Sequence, residues 1–358
     1  IDKIYQEMGS PVLKSGDDYI SLLKKVKEKY PSIIAAQSYR MASPDSDGNP
    51  WLVAILLQHS GLGTKFFKQN DEYFKYWQHP NFMLVLKFAN QLYNEGLVDK
   101  TEFTDDKTRL LSKVYSGTIF SELNEDADNI DKYNVELHKV KPDSNWIMIE
   151  PFTLDPNVKY EGDSIHGGVG EVEVIISKNS KKAIRSLRFL DYICQPETQK
   201  ILTYGIEGRG HIMVNGRPVL TKEYLEDEKK VGRNNSLYGN FDYYVLRNNY
   251  WNPMAKYDLA SDIQKSAMQI ANKYYKDFSF YVGADVYEAN SEEAKIYAQI
   301  KQYYRNEIMK IITGNPSDVQ TEYDNMIAEM KKMGLDILNK HYTEYFNNKQ
   351  QMIDKYSK

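Results

Sequence analysis

Apolar and polar positions in the first part of the chain predict both helices and buried strands. Residues 17–29 place apolar side chains at helical spacing behind an acidic first turn, which predicts an amphipathic helix. The run "IIAAQSY" at 33–39 predicts a short buried strand, and "WLVAILLQHSG" at 51–61 predicts a buried helix that ends at a glycine. Residues 79–99 form a strongly amphipathic pattern that Gly96 stops.

The same alternation continues toward the end of the chain. Residues 105–122 predict a short helix and then a strand, and "VEVIIS" at 172–177 is a β-rich segment. Residues 181–208 predict two helices separated at Pro196, and a long helical tail has its break at 312–318. Short strands mixed with helices indicate α/β lobes rather than a helical bundle.

Three glycines follow the second of those two helices within six residues, in "YGIEGRG" at 204–210. Glycine lets a chain leave a helix and turn without the steric penalty of a Cβ. We therefore interpret the turn as structural, with Glu207 and Arg209 as candidate contacts at the rim of a site.

Composition narrows the class of partner. Lys and Arg total 46 against 50 Asp and Glu, and this mild acidity argues against a nucleic-acid surface. The 29 tyrosines suit carbohydrate or protein contacts, because a phenol ring has an apolar face and a polar tip. The single cysteine, Cys194, lies in an apolar run, which predicts a buried thiol and excludes an intramolecular disulfide.

Motifs of catalysis and cofactor binding are missing from the sequence. It has no GxGxxG after a strand, no Walker loop, no HExxH and no GxSxG. The six histidines are scattered, and "DSDG" at 45–48 has the wrong spacing for a calcium loop. We predict no catalytic residues, no metal and no cofactor. There is also no apolar stretch of about 18 residues and no signal peptide.

Several quoted segments together resemble one family over nearly the whole chain from Asp17 onward. The order "LYNEGLVD" then "KVYSGTIFS", the later "YGIEG" and the acidic closing helices resemble extracellular solute-binding proteins of carbohydrate ABC importers. This is the oligosaccharide cluster that includes maltose-binding protein and larger Gram-positive lipoproteins. The resemblance implies an α/β, two-lobed, periplasmic-binding-protein-like (type II) fold.

The resemblance also implies a division of the chain. Residues 1–165 would be the first part of lobe two, 166–255 a returning segment of lobe one, and 256–358 the closing helices of lobe two. The family's lipobox cysteine and the start of lobe one precede the position where this chain begins. We therefore expect a longer mature protein that is extracellular and held at the cell surface by a lipid anchor on that N-terminal segment.

The resemblance places ligand contacts at strand ends and crossings. The expected ligand-binding residues are Tyr39, Arg40, Trp51, Glu122, Asn124, His166, Gly167, Tyr250, Trp251 and Tyr281. Structural interpretations stay open for some of them: a strand terminus for Tyr39 and Arg40, a core anchor for Trp51, and a loop plug for Tyr250 and Trp251.

The function implied is binding of a saccharide or oligosaccharide by hinge closure, with delivery to the permease subunits of an ABC importer. Aromatic faces would stack on the sugar, and planar polar side chains would bind its hydroxyl groups. Two alternatives stay open: an enzyme of polysaccharide breakdown, and a surface adhesion or sensor module on the same fold.

Overall fold

The computed structural model describes residues 1–38, 45, 47–123, 127–162, 174–231, 238, 254, 257–276 and 278–356. The chain divides into two compact units. The first contains Ile1–Val169 and Ser266–Lys358, and the second contains Gly170–Lys265. Both units combine helices with short strands, as the sequence predicts.

The first unit contains most of the regular structure. Its elements before the crossing are α1 Asp2–Glu7, α2 Gly16–Lys29, β1 Ile34–Ser38, α3 Trp51–His59, β2 Phe66–Gln69, β3 Glu72–Lys75, α4 Phe82–Asn94, α5 Lys107–Ser116, β4 Ile119–Leu123 and α6 Ile130–Leu137. Its closing helices are α11 Glu292–Thr313, α12 Val319–Lys332 and α13 Leu335–Tyr356. The elements of the second unit are α7 Ala183–Cys194, α8 Pro196–Tyr204, β5 His211–Val214, β6 Arg217–Leu220 and α9 Lys222–Val231. Helix α10, Asp262–Lys273, carries the chain back to the first unit.

Helix α2 shows why the first predicted helix forms. Ser15 caps it by accepting a hydrogen bond from the backbone N–H of Asp18, and the Asp18 carboxylate accepts from the backbone N–H of Ser15 in return. This reciprocal arrangement satisfies two N–H groups that a helix start otherwise leaves unpaired. The apolar face of α2, including Leu23 and Val26, is buried in the core.

Two small sheets belong to the first unit. Strands β1 and β4 pair in parallel, with Ile34 opposite Ile119 and Gln37 opposite Glu122. Strands β2 and β3 form an antiparallel hairpin whose turn residues, Asn70 and Asp71, both have positive φ. Asn and Asp tolerate that conformation better than other residues with a side chain, which suits a two-residue turn.

The closing helices pack on α4 and the hairpin to complete one core. Asn90 of α4 donates to the carbonyls of Ile311, Ile312 and Gly314, where α11 ends. The predicted break at 312–318 is therefore confirmed. The structure has a second break that the sequence analysis missed: Gly334, with φ of 106°, separates α12 from α13.

The second unit confirms the break at Pro196 and the structural interpretation of the glycine turn. Pro196 opens α8, where its missing N–H costs nothing. Gly205 has φ of 75°, and a Cβ there would lie 2.1 Å from the Tyr238 carbonyl oxygen. The side chain of Arg209 lies over the Tyr238 ring, 5.5 Å from its centroid, so this arginine has a packing partner within the unit.

Two expectations for the second unit are wrong. Cys194 is exposed rather than buried. The described part of "VEVIIS", residues 174–177, is not in a strand. Cys194 ends α7, a helix on which the apolar residues Ile184, Leu187 and Phe189 are also exposed. An apolar run predicts burial only when other elements cover it, and no described residue covers these side chains.

Candidate functional site at the carboxyl edge of the β1–β4 sheet

The parallel pairing of β1 and β4 brings the carboxyl ends of two strands together. Gln37 lies opposite Glu122, and Ser38 lies opposite Leu123. In open α/β sheets ligands bind beside the carboxyl ends of strands. Gln37 and Ser38 are buried and polar, although the strand before them is apolar. We define this carboxyl edge, with Gln37, Ser38, Glu122 and Trp51, as the candidate site.

A buried carboxyl group supports the end of β1. Glu102 comes from the turn after α4, where Val98 forms a bridge to Ala36. Its two carboxyl oxygens accept from the backbone N–H of Ser38 at 3.2 and 3.3 Å. The Ser38 hydroxyl donates to the same carboxyl group. Glu102 thereby fixes both the main chain and the side chain of the last residue of β1.

The protonation of Glu102 follows from its burial. Removal from water raises the pKa of Glu102 to about 8, although the bonds from Ser38 and the charge of Lys113 act in the opposite direction. At pH 7 the neutral form of Glu102 is therefore favoured over the carboxylate. Lys113 itself is paired with Asp99 at 2.6 Å and with Asp105. The carboxyl group that supports the end of β1, Glu102, is therefore in its neutral form.

Trp51 begins α3, directly after the loop that leaves β1. It is half-buried, and the helix behind it is almost entirely buried, including Leu52, Leu56 and Leu57. The preceding loop is fixed by Asn49, whose side-chain oxygen accepts from the hydroxyls of Tyr76 at 3.0 Å and Tyr304 at 2.5 Å. The position of Trp51 is therefore set by a rigid core rather than by its own loop.

A buried ion network holds the same loop to the closing part of the chain. Lys75 is fully buried and donates to Asp47 at 2.6 Å and to Asp285 at 2.7 Å. Its ammonium also lies 5.1 Å from the Trp77 ring centroid and 5.0 Å from that of Tyr297. These contacts link the start of α3 to β3 and to the segment before α11.

The charges of this network sustain one another. Burial disfavours the charged form of Asp47, but the ammonium groups of Lys75 and Lys65 outweigh it and hold the pKa of Asp47 well below its usual range. Burial likewise disfavours the charged form of Lys75. The carboxylates of Asp47 and Asp285 outweigh this effect and raise the pKa of Lys75. Asp47 and Lys75 are therefore both ionised at neutral pH, and each depends on its partners.

The structure describes three of the ten predicted ligand-binding residues. Glu122 lies at the carboxyl edge opposite Gln37, and Trp51 lies at the start of α3. Tyr281 lies elsewhere, in an aromatic cluster 5.2 Å from Phe280 and 5.7 Å from Phe346 between ring centroids. The other predicted ligand-binding residues lie outside the described part of the chain: Tyr39, Arg40, Asn124, His166, Gly167, Tyr250 and Trp251.

Sequence reasoning missed Gln37, Ser38 and Glu102. Gln37 and Ser38 carried a signal, since they are polar residues that end an apolar strand. Glu102 carried none, because the acidic stretch that contains it resembles an ordinary solvated turn.

The chemistry of the edge suits hydroxyl groups. Gln37 and Ser38 are fully buried and shape the edge from below, whereas Glu122 is only half-buried, so its carboxyl group can bond to an alcohol. Trp51 offers an indole face for C–H groups. Among the residues that the structure describes, no group of three or more His, Cys, Asp or Glu side chains is arranged to hold a metal ion.

Comparison with known proteins gives weak sequence likeness. No family model matches the chain. It is 24% identical over 219 residues to lipoprotein LipO of Bacillus subtilis, which is 59% of this chain and 43% of LipO. It is 23% identical over 267 residues to an uncharacterized protein in the butB 5′ region of Niallia circulans, which is 74% of this chain and 98% of that protein. The match thus spans less than half the length of LipO.

Solved structures match nearly the whole chain. The alginate-binding protein AlgQ2 without calcium ion matches 97% of this chain and 70% of its own, with a TM-score of 0.64 and 18% identity. An HMO-binding, ABC-transporter-associated solute-binding protein of Bifidobacterium longum infantis matches 96% of this chain and 72% of its own, with a TM-score of 0.62 and 14% identity. The S. pneumoniae ABC-transporter substrate-binding protein FusA in complex with kestose matches 97% of this chain and 71% of its own, with a TM-score of 0.60 and 15% identity.

These matches confirm the predicted fold. The chain has the α/β, two-lobed fold of solute-binding proteins, and the structures that share it are binding proteins rather than enzymes. In the described part of the chain, no helix combines the length and apolar character needed to cross a membrane.

Proposed function

We propose that this protein binds a saccharide outside the cytoplasm and delivers it to the permease subunits of an ABC importer. One observation carries the proposal: a parallel strand pair ends in Gln37, Ser38 and Glu122, beside the helix that Trp51 begins. The half-buried Glu122 can bond to a hydroxyl group and the half-buried Trp51 has an aromatic face, and these are the two kinds of contact that a sugar requires. The kestose complex named for FusA, which shares the fold, supports a saccharide as the ligand.

The ligand would bind by biasing a hinge motion between two lobes. A ligand shifts such an equilibrium only as far as it binds the closed form better than the open form. The division of the chain into units at 169/170 and 265/266 supports the proposed lobe assignment, with 166–255 in lobe one. Arg40, Trp251 and the other predicted contacts outside the described residues remain part of the proposed site.

We further propose that the protein is not an enzyme. Glu102, whose pKa is raised, is 1% exposed and is engaged by Ser38, so it has no access to a substrate. A general acid must reach the atom that it protonates. The likeness to a lipoprotein supports attachment to the cell surface through a lipid anchor.

A thermal-shift screen with neutral and uronic-acid oligosaccharides tests the function. A ligand that binds only the folded state stabilises it, by about 2.7 kcal/mol when the free ligand is at a hundredfold excess over Kd. The unfolding temperature rises as a result. We expect at least one oligosaccharide to stabilise the protein and to be recovered chemically unchanged. Cleavage of the oligosaccharide would favour the enzyme alternative, and stabilisation by a peptide alone would overturn the ligand class.

A further inference from the structure

Helix α3 has the candidate site at one end and a tightly packed backbone junction at the other. Trp51 begins the helix, and the turn from Gln58 to Gly63 follows its last residues. Nine helical residues at 1.5 Å each separate the two ends by only about 13 Å. Residues 159–162, the outgoing segment, contact this second end before the chain leaves the first unit, and residues 274–276, the returning segment, pack on them after the chain has come back.

Residues 159–162, the outgoing segment, contact the end of α3. The backbone N–H of Glu161 donates to the Gln58 carbonyl at 3.0 Å, and the Tyr160 hydroxyl donates to the Gln58 side chain at 2.8 Å. The Tyr160 ring also meets the His59 ring edge-on, with centroids 5.0 Å apart. This outgoing segment ends in Gly162, and the first unit continues to Val169 before the chain crosses to the second unit.

The returning segment packs on the other side of the outgoing one. The rings of Tyr160 and Tyr274 meet edge-on at 5.3 Å, and Lys276 pairs with Glu161 at 3.1 Å. The Tyr274 hydroxyl donates to Glu150 at 2.5 Å. Three stretches of backbone therefore lie in layers: the end of α3, residues 159–162, and residues 274–276.

Glycine stands at both layer boundaries, and no larger residue fits there. A Cβ at Gly63 would lie 2.7 Å from the Glu161 carbonyl oxygen, and a Cβ at Gly162 would lie 2.6 Å from the Tyr274 carbonyl oxygen. Both obstacles are backbone atoms, which cannot rotate away as a flexible side chain can. Each glycine therefore permits a close approach of main chains that alanine would force apart.

We propose that Gly63 and Gly162 are positioning residues: Gly63 seats residues 159–162 on the end of α3, Gly162 seats residues 274–276 on residues 159–162, and together they couple the candidate site to the motion between the units. The proposal deepens the proposed function, since ligand binding is what would bias that motion. A ligand that contacts Trp51 would act on a short helix whose other end contacts residues 159–162, on which residues 274–276 pack. Alanine at either glycine would shift the crossings and change the resting distribution of the second unit relative to the first.

Cys194 makes the test direct, because this single cysteine is exposed and belongs to the second unit. A second label is placed at Lys340→Cys in the first unit, where the side chain is 79% exposed. Pulsed electron spin resonance then gives the distribution of distances between the two labels. No ligand is needed, so the outcome does not depend on whether a saccharide binds.

Gly314→Ala is the matched control. Its Cβ would lie 2.6 Å from the Lys310 carbonyl oxygen, the same clash as at Gly162, but it lies where α11 ends and touches neither crossing. We expect Gly162→Ala and Gly63→Ala to move or broaden the distance distribution by at least ~2 Å, the scale of a domain rearrangement. Gly314→Ala should leave the distribution as in the parent.

Tyr160→Phe keeps the test decisive if an alanine variant fails to fold. It removes the hydroxyl contact with Gln58 and adds no volume, and it should broaden the distribution in the same sense. Distributions for Gly162→Ala or Tyr160→Phe that match those of the parent and of Gly314→Ala would overturn the proposal. The saccharide screen described above would then still decide the function separately.

Discussion

The backbone N–H of Ser38, the last residue of β1, lies 3.2 Å from a carboxyl oxygen of buried Glu102. A turn that follows α4 thus supports the strand end at the candidate site. Because burial raises the pKa of Glu102 to about 8, this support changes its protonation within the pH range that proteins tolerate. The facing charged groups are Lys113 and Asp99, which act in opposite directions on that pKa.

Glu102 should make the protein less stable as the pH rises. Its folded-state pKa of about 8 lies above the ordinary value of 4.5, so the folded state binds more protons between these values. The contribution is fully favourable below pH 4.5 and is lost as the pH rises through 8, by on the order of a few kcal/mol. Urea unfolding at pH 5, 7 and 9 measures the free energy of unfolding. It should fall less steeply with rising pH for Glu102→Gln than for the parent.

An exposed carboxylate provides the comparison for that series. Glu226 of α9 has a side chain that is 66% exposed and pairs only loosely with Lys222, at 3.6 Å. Glu226→Gln should follow the parent at each pH. Identical pH profiles for Glu102→Gln and the parent would contradict the assignment of a raised pKa to Glu102.

His59 should have the opposite effect in acid. Burial lowers the pKa of His59 to about 4, although its Nδ1–H donates to the Phe152 carbonyl at 2.7 Å. The unfolded chain therefore takes up a proton first, and stability falls as the pH drops from 6.5 toward 4, by on the order of 3 kcal/mol. His59→Asn keeps a donor without the titration, and its unfolding free energy should change less between pH 7 and 4.5.

Only the slope with pH is compared, since His59→Asn also leaves a gap beside Phe152 and Tyr160. His138 is the matched control, because its ring bonds to Asn145 at an exposed position. His138→Asn should keep the parent's slope. Equal slopes for His59→Asn and the parent would show that His59 is not protonated differently in the two states.

Lys75 should be the most sensitive charged residue of the first unit. Lys75→Met removes a fully buried ammonium and leaves Asp47 and Asp285 without it, which should cost about 3–5 kcal/mol. Lys310→Met, which breaks an exposed pair with Glu307, should cost only about 0–1 kcal/mol. Equilibrium unfolding in urea gives the free energy of unfolding of the two variants. Equal losses of that free energy would contradict a stabilising role for the buried ion network.

Cys194 should react freely in the folded protein, because it is exposed at the end of α7. A maleimide reagent should modify it in native buffer at a rate within about tenfold of the rate in urea, as expected for a thiol without burial. Protection of the thiol in native buffer would contradict the exposed position.

The sequence predicted those features of the fold that arise locally. Residues 17–29 have both a capping pair and a continuous apolar face, so the helix and its first turn are visible in the pattern. The start of α13 was hidden, because Gly334 stands within a pattern that stays helical on both sides.

The candidate site was predictable only in part, for a physical reason. Glu122 and Trp51 follow predicted elements directly, and strand ends and helix starts are visible in sequence. Glu102 and Lys75 acquire their roles from residues far along the chain, Ser38 and Asp285 among them. The exposure of Cys194 was also unpredictable, since burial depends on which elements cover an apolar face.

Saccharide binding through Trp51 is the central claim, and calorimetric titration tests it most directly. The protein is titrated with each oligosaccharide that stabilises it, and so are Trp51→Ala, Glu122→Gln, Arg40→Ala and Trp251→Ala. Tyr192→Ala, which removes a 60% exposed aromatic ring from α7, is the control.

Stacking on Trp51 buries about 100 Å² of apolar area, worth about 2–3 kcal/mol at roughly 25 cal/mol per Å². We therefore expect Trp51→Ala to bind about 30- to 150-fold more weakly than the parent, since each 1.4 kcal/mol is a factor of about ten. Tyr192→Ala should bind as the parent does. Parent-like binding by Trp51→Ala and Glu122→Gln would contradict the site, and no saccharide binding by the parent would contradict the function.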